Sequence, residues 1–304
     1  MAERTLRVGL TQWHATRDLQ ANLALAVKAV RETAAAGADL VLLPENGLML
    51  GTNVEMRDAA LPADAPELTA LREAAREAGA AVVLGGFKRR REDGAIRNTA
   101  LVIGPDGRDA GGYDKIHLFD ARIDGRSFEA SGVELPGERP ALIRVAGTLV
   151  GLTICYDVRF PELYRNLALA GAEVLLVPAA FTHRTGQAHW EVLLRARAVE
   201  NSAYVVASAT VRGAETGTGR DADAFPTYGH ALAVGPWGEV LADLGEAAAA
   251  WRVVELDLDA VARAREALPV LRGVRPTATG AAPRMIEVGV PEPSGAERMT
   301  GERG

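Results

Sequence analysis

Cys155 is the only cysteine in the 304-residue chain, and it ends the alternating run Val150, Leu152, Ile154 in TLVGLTICYDVRFPELYR. A few residues must then turn the chain toward Pro161, a residue suited to the first helical position, with Glu162 beside it. A cysteine on such a strand-to-helix turn is rigidly presented, and nearby helix-end N–H groups favour the thiolate. The plain alternative is a small, buried and inert hydrophobe. Glu45 follows the apolar run LVLLP. Burying a carboxylate is costly, so its place at the end of a core strand needs a reason, unless it is a solvated loop residue. Lys115 lies between Tyr113 and the apolar Ile116, Leu118 and Phe119, where alone it reads as an ordinary strand-end lysine.

Together these three supply the parts of acyl transfer. A thiolate attacks a carbonyl-level carbon while a neighbouring carboxylate takes the thiol proton. The same carboxylate then protonates departing ammonia and activates water against the thioester. An ammonium and the backbone N–H after the nucleophile, that of Tyr156, hold the tetrahedral oxyanion. No histidine is required, and none of the five has an obvious place in a Cys-His pair.

The elements that must position these groups follow an α/β pattern. Residues 5–13 alternate as a half-buried strand, and an amphipathic helix follows, with Leu19, Leu23, Val27 and Val30 on one face and Gly37 at a left-handed cap. A buried strand runs into Pro44, and a helix over 66–78 leads to a strand over 80–87. The second half echoes the first: AGADLVLLPE at 36–45 resembles AGAEVLLVPA at 170–179, and AGAAVVLGG at 78–86 is matched loosely by NSAYVVASA at 201–209. Any α/β protein produces such phrases, but the sharper reading is two similar layers, sheet against sheet with helices outside. Ligands favour the carboxyl ends of such strands, which places Glu45 and the segment after Pro178 on one rim. Strands and turns fill 227–257, a short helix over 259–268 closes the domain, and GPWGEV is a turn with Trp237 as an anchor.

Glu45 in LLPENG, Lys115 in YDKIHLFD and Cys155 in GLTICYDVRFPELYR resemble the Glu-Lys-Cys signature of the nitrilase, or carbon–nitrogen hydrolase, superfamily. The likeness runs from about residue 6 to 270, through AHWEVLLRARAVEN and YGHALAVGPWGEV, and looks nearest to ω-amidase and deaminated-glutathione amidase members. It implies a four-layer α-β-β-α sandwich, two mixed sheets face to face with helices outside. It also implies no metal or organic cofactor, and subunits joined in a homodimer or higher even assembly through outer helices. By the same resemblance Cys155 is the nucleophile, Glu45 the general base and acid, and Lys115 the oxyanion partner. Many members add a second glutamate six residues before Pro-Gly. Counting back from Pro136 gives Ala130, so Glu129 is a candidate only with a one-residue slip. In PAAFTHRTGQAHW, Phe181 and Arg184 are candidate substrate contacts; Arg184 either meets an anionic substrate group or is a solvated loop charge.

The expected reaction is hydrolysis of a small linear primary amide to acid and ammonia. A nitrilase or N-carbamoyl amino acid hydrolase would use the same residues; a non-catalytic binding module or a redox-sensing thiol are the other readings. Composition narrows the setting. Lys plus Arg number 34 against 40 Asp plus Glu, a net charge of −6, so no basic footprint for nucleic acid exists. One cysteine excludes an intramolecular disulfide framework and CxxC metal sites, and His183 and His189 lack a cysteine partner. No apolar run approaches the ~20 residues of a membrane span, and the start lacks the apolar core of a signal peptide. The expectation is a cytoplasmic enzyme with one domain over 1–280. The glycine-rich GAETGTGRD reads as a mobile loop, and 281–304 as a tail, mobile or packed on a partner subunit.

Overall fold

The first half of the chain builds the larger of two sheets. Strand β1 (Thr5–Trp13) leads through helix α1 (Leu19–Ala35) to β2 (Leu40–Leu43); α2 (Asn53–Asp58) and α3 (Pro66–Ala78) then lead to β3 (Ala81–Arg90), β4 (Ile96–Ile103) and β5 (Asp109–Asp114). A hairpin, β6 (Asp120–Ile123) with β7 (Arg126–Glu129), precedes the second sheet, which opens with β8 (Ala141–Val145) and β9 (Thr148–Leu152). It continues through α4 (Pro161–Leu169), β10 (Val174–Leu176), α5 (His183–Asn201) and β11 (Tyr204–Ala207). Strands β12 (Ala209–Arg212) and β13 (Thr227–Tyr228) return to the first sheet. Strands β14 (Leu232–Val234) and β15 (Val240–Asp243) finish the second, and β16 (Ala249–Asp257) pairs antiparallel with β1 before α6 (Leu258–Ala267).

The computed structural model describes residues 4–123, 125–212 and 225–275, with 277 and 280. The GAETGTGRD segment and the tail over 281–304 lie outside the described residues. One compact unit spans Met1–Arg272. No helix among the described residues is long and apolar enough to cross a membrane.

The echo between halves is a repeated topology. In the first sheet β1, β2 and β3 are parallel neighbours and β4 and β5 add antiparallel; in the second β9, β10 and β11 are parallel and β14 and β15 add antiparallel. The period of two along each strand sorts the side chains into layers. Leu40 and Leu42 of β2 join Val150, Leu152 and Leu176 in the core between the sheets, while Val41 and Leu43 pack on Val30 of α1 and Leu68 and Leu71 of α3. Trp190 and Leu194 of α5 and Leu167 of α4 pack with the second sheet. The result is the α-β-β-α sandwich that the motifs imply.

Some local expectations change. β9 ends at Leu152, earlier than the alternation through Ile154 suggests, because the backbone must bend before Cys155. Helix α2, absent from the sequence reading, is a single capped segment: Thr52 and Glu55 form a reciprocal capping box. Gly37 adopts the expected left-handed conformation, with φ of 93°. On α5, Trp190, Leu194 and Arg197 are buried and Leu193 is partly exposed.

Candidate active site

The two sheets meet at the rim where β2 and β10 both run into proline. Glu45 follows Pro44 and is buried. Its approach depends on Gly85 and Gly86, which sit at the register shift of β3. A Cβ on Gly85 would lie 2.1 Å from Pro178 Cβ and 2.3 Å from the Leu43 carbonyl oxygen; one on Gly86 would lie 2.7 Å from Glu45 Cγ. Gly86 also has φ of 49°, a region that glycine adopts without strain. These glycines let a carboxylate from one sheet and a proline from the other come together.

Lys115 lies just beyond β5, where its N–H donates to the Asn98 carbonyl at 2.8 Å and prolongs the pairing with β4. Its Nζ donates to Glu45 Oε1 at 2.7 Å, and Asn98 Nδ2 donates to the same oxygen at 2.9 Å. The Ala180 N–H, from the second sheet's rim, donates to Glu45 Oε2 at 2.9 Å. A buried carboxylate is thus fully engaged from both sheets.

Cys155 opens a 3-10 turn, Cys155–Arg159, with φ of 46°. Left-handed backbone at a side chain with a Cβ costs about 1–2 kcal/mol, so the surroundings must enforce it. They do. The Cys155 N–H donates to the Pro178 carbonyl at 2.9 Å, and the buried Asp157 carboxylate accepts the Ile154 N–H at 2.9 Å. The same Asp157 accepts from Tyr113 Oη at 2.8 Å and contacts His117 Nδ1 at 2.7 Å, tying the cysteine turn to the lysine segment. Arg197 Nε donates to the Val158 carbonyl at 2.9 Å, so the buried α5 arginine braces that turn from behind. The Tyr156 N–H has no backbone acceptor among the described residues.

The electrostatics correct one expectation. The Cys155 thiol is pushed well above its usual range, first by burial and then by the Glu45 carboxylate, with Lys115 opposing. Burial and the Glu45 charge therefore favour the thiol, against the help to a thiolate expected from helix-end N–H groups. Burial works against the Glu45 charge, but Lys115 and Lys88 outweigh it and hold the carboxyl below its ordinary value. Burial likewise disfavours the Lys115 ammonium, yet Glu45, Cys155 and Glu134 raise it above the lysine range. The balance favours a carboxylate base beside a protonated nucleophile.

Glu129 does not belong to this set. It is exposed at the end of β7 and accepts from Ser127 Oγ at 3.0 Å; the one-residue slip that would bring it inward does not occur, and Ala130 is the buried residue at the site. Arg184 is exposed on the first turn of α5 and does not line the cavity, whereas Phe181 does. The cavity's arginine is Arg159, stacked over Phe181 with its guanidinium carbon 5.0 Å from the ring centre. Asn98, Asp157, Lys88, Glu134 and Arg159 were not singled out by the sequence reading. Asp157 carried a readable signal, an acid in the first turn after a strand end; Asn98 and Lys88 look like any polar residue on a strand.

Glu45, Lys115 and Cys155 open on a small cavity walled by Phe119, Phe128, Tyr156, Phe181 and Phe225. Among the described residues no three or more His, Cys, Asp or Glu side chains gather as metal ligands.

Residues 7–266 match the carbon-nitrogen hydrolase family model. Deaminated glutathione amidase of Synechocystis sp. is 39% identical over 262 residues, covering 84% of this chain and 92% of the relative; the Homo sapiens protein of that name is 37% identical over 282 residues, covering 90% and 83%. Among solved structures, the C. elegans NitFhit protein superposes with a TM-score of 0.81 at 33% identity, over 91% of this chain and 67% of the other. A mutant of the amidase from Nesterenkonia sp. AN1, showing covalent addition of the acetamide moiety of fluoroacetamide at the active site cysteine, has a TM-score of 0.72 at 26% identity, covering 90% and 95%.

Proposed function

The chain belongs to the carbon–nitrogen hydrolase family, whose members act on non-peptide carbon–nitrogen bonds, and we propose that it hydrolyses a small linear primary amide through a thioester on Cys155. The observation that carries this reading is the meeting of Glu45, Lys115 and Cys155 on one cavity, with Glu45 accepting from Lys115 at 2.7 Å.

Cys155 Sγ attacks the amide carbon as its proton passes to Glu45, so the resting thiol is activated only when substrate is present. Charge moves to the carbonyl oxygen, which the Lys115 ammonium and the Tyr156 N–H receive. Glu45 then gives its proton to the amide nitrogen, the C–N bond breaks and ammonia leaves. Water attacks the thioester with Glu45 again taking a proton. The C–S bond breaks, acid departs and the sulfur recovers its proton. The aromatic walls keep bulk water from the thiol and favour a substrate with apolar surface beside the reacting carbon.

Product release measured over a panel of primary amides, nitriles, carbamoyl compounds and deaminated glutathione tests the reading. We expect acid and ammonia from a primary amide; turnover of nitriles or carbamoyl compounds alone would overturn the choice of substrate. Pairing of subunits through α5 belongs to the same proposal. Val192 and Val199 stand exposed on that helix, and light scattering at micromolar concentration should give an even assembly, not a monomer.

A further inference from the structure

Four buried ionisable side chains, not two, gather beside Cys155. Lys88 of β3 and Glu134, in the loop after β7, form an ion pair that no step of the acyl transfer uses. Both are more than nine-tenths buried and both border the cavity. Removing two charges from water costs several kcal/mol per ion, and apolar residues of equal volume commonly serve packing as well or better. The pair is also incomplete. Glu134 Oε2 receives Lys88, while Oε1 is buried with no hydrogen-bond partner among the described residues. Buried carboxylate oxygens are ordinarily satisfied, so this one needs an explanation.

The backbone shows how Glu134 comes to lie here. The Leu135 N–H donates to the Ile96 carbonyl at 2.8 Å, and the Gly137 N–H donates to the Lys115 carbonyl at 2.8 Å. A Cβ at position 137 would lie 2.0 Å from the Asp114 carbonyl oxygen, so only glycine permits that approach. The loop is clamped between the start of β4 and the segment that carries Lys115. Across this cluster each cation acts on both carboxylates: Lys88 pairs with Glu134 and favours the charge on Glu45, and Lys115 pairs with Glu45 and is favoured by Glu134. Ala130, also at the cavity, offers no polar group.

We propose that Glu134, held in place by Lys88, is a positioning residue that keeps Lys115 on the oxyanion while Glu45 carries the thiol proton. The proposal rests on the hydrolytic reading of the site. In the resting enzyme Glu45 anchors Lys115. Once Glu45 is protonated that anchor loses its charge, and the Glu134 carboxylate is the nearby anion that remains. Its open oxygen leaves room for the ammonium to keep a partner throughout the cycle. Lys88 keeps the cluster neutral in the resting state, since two carboxylates then face two ammonium groups.

The test uses Glu134→Gln, which keeps the volume and removes the charge. Steady-state kinetics on the best amide of the panel should show kcat lowered at least tenfold with KM within threefold of wild type. A Lys88→Met/Glu134→Leu double variant removes both charges without stranding either. It should unfold at or above the wild-type temperature yet turn over as slowly as Glu134→Gln, and it carries the test if the single variant fails to fold. A kcat within twofold of wild type in either folded variant overturns the proposal. Alkylation of Cys155 by iodoacetamide gives a readout that needs no substrate. Removing the Glu134 charge leaves Lys88 and Lys115 a single carboxylate between them, and Lys115 favours the thiolate, so Glu134→Gln should be alkylated at least threefold faster at neutral pH. An unchanged alkylation rate in the folded variant overturns the proposal too. If wild type hydrolyses no amide while alkylation responds as described, the hydrolytic reading fails and the electrostatic coupling of Glu134 to the site stands.

Discussion

The two sheets share a strand–proline phrase and put it to opposite uses. After β2, Pro44 is followed by Glu45, a charged side chain; after β10, Pro178 is followed by two alanines, and the useful groups are backbone. The Pro178 carbonyl holds the Cys155 N–H, and the Ala180 N–H holds the Glu45 carboxylate. The other polar side chains also come from the first sheet and its margin: Lys88 from β3, Asn98 from β4 and Lys115 after β5. The second sheet contributes a strained cysteine and a frame of peptide groups. Neither half contains a reactive site. Packing of one sheet on the other creates it, so the apolar layer between them, with Leu42, Val83, Leu152 and Leu176, is a condition of catalysis as well as of stability.

Breaking either contribution should silence the enzyme. Cys155→Ala, from the second half, and Glu45→Gln, from the first, should each lower kcat by roughly 10⁴-fold or more while the protein stays folded. Circular dichroism and steady-state assays check both, and equal losses would show that the halves act as one unit. The seam itself is next. Gly85→Ala forces a Cβ against Pro178 and the Leu43 carbonyl, and such overpacking costs about 1–3 kcal/mol. Chemical denaturation should show that loss, and kcat should fall with it because Glu45 and Cys155 are displaced relative to each other. Stability lost without activity would mean that the register between sheets is looser than described.

Asp157→Asn probes the second half alone. Its carboxylate, fully buried, joins the Ile154 N–H, Tyr113 and His117, and weakening a buried charged network of this kind costs about 2–3 kcal/mol. Denaturation midpoints should drop accordingly, with a smaller effect on kcat than at Glu45. The gentlest test is pH. Glu45 is depressed, so it is ionised above its lowered value; the Cys155 thiol is raised, so it stays protonated below its raised value. The reactive form, carboxylate with thiol, therefore spans from below about pH 4.3 to above about pH 8.5, the ordinary values of the two groups. The rate constant kcat/KM should be flat between these limits, and an inflection near pH 6–7 would show a different pair in control. Stability contributed by the depressed Glu45 is present at neutral pH and disappears as the pH falls through its folded value.

Much of this architecture was legible because it is periodic. The alternation of Leu40, Val41, Leu42 and Leu43 and the echo at 170–179 carry the two-sheet plan, and proline at the strand ends marks the rim. Cys155, Glu45 and Lys115 stood out because each is a polar or reactive group set against apolar sequence. What stayed hidden depends on distance in the chain. Glu134 and Lys88 become partners only when the loop is clamped to β4 and Lys115, and nothing in VELPGE announces a buried carboxylate. Glu129 has suitable neighbours in sequence, yet the hairpin leaves it exposed. The need for glycine at 85 follows from Pro178, far along the chain, and that at 86 from the packing of Glu45, Asn98 and Ile154, which no local pattern encodes.

The most direct test is intact-protein and peptide mass spectrometry of Glu45→Gln after incubation with a reactive small amide such as fluoroacetamide. With amide hydrolysis silenced by loss of the Glu45 base, Cys155 Sγ displaces fluoride from the neighbouring carbon, its proton leaving with the fluoride, and a single stable acetamide thioether should accumulate on the peptide that holds Cys155 and be absent from the Cys155→Ala protein. No adduct at a saturated site, or an adduct on any other residue, would contradict the assembly of nucleophile, acid and ammonium described above.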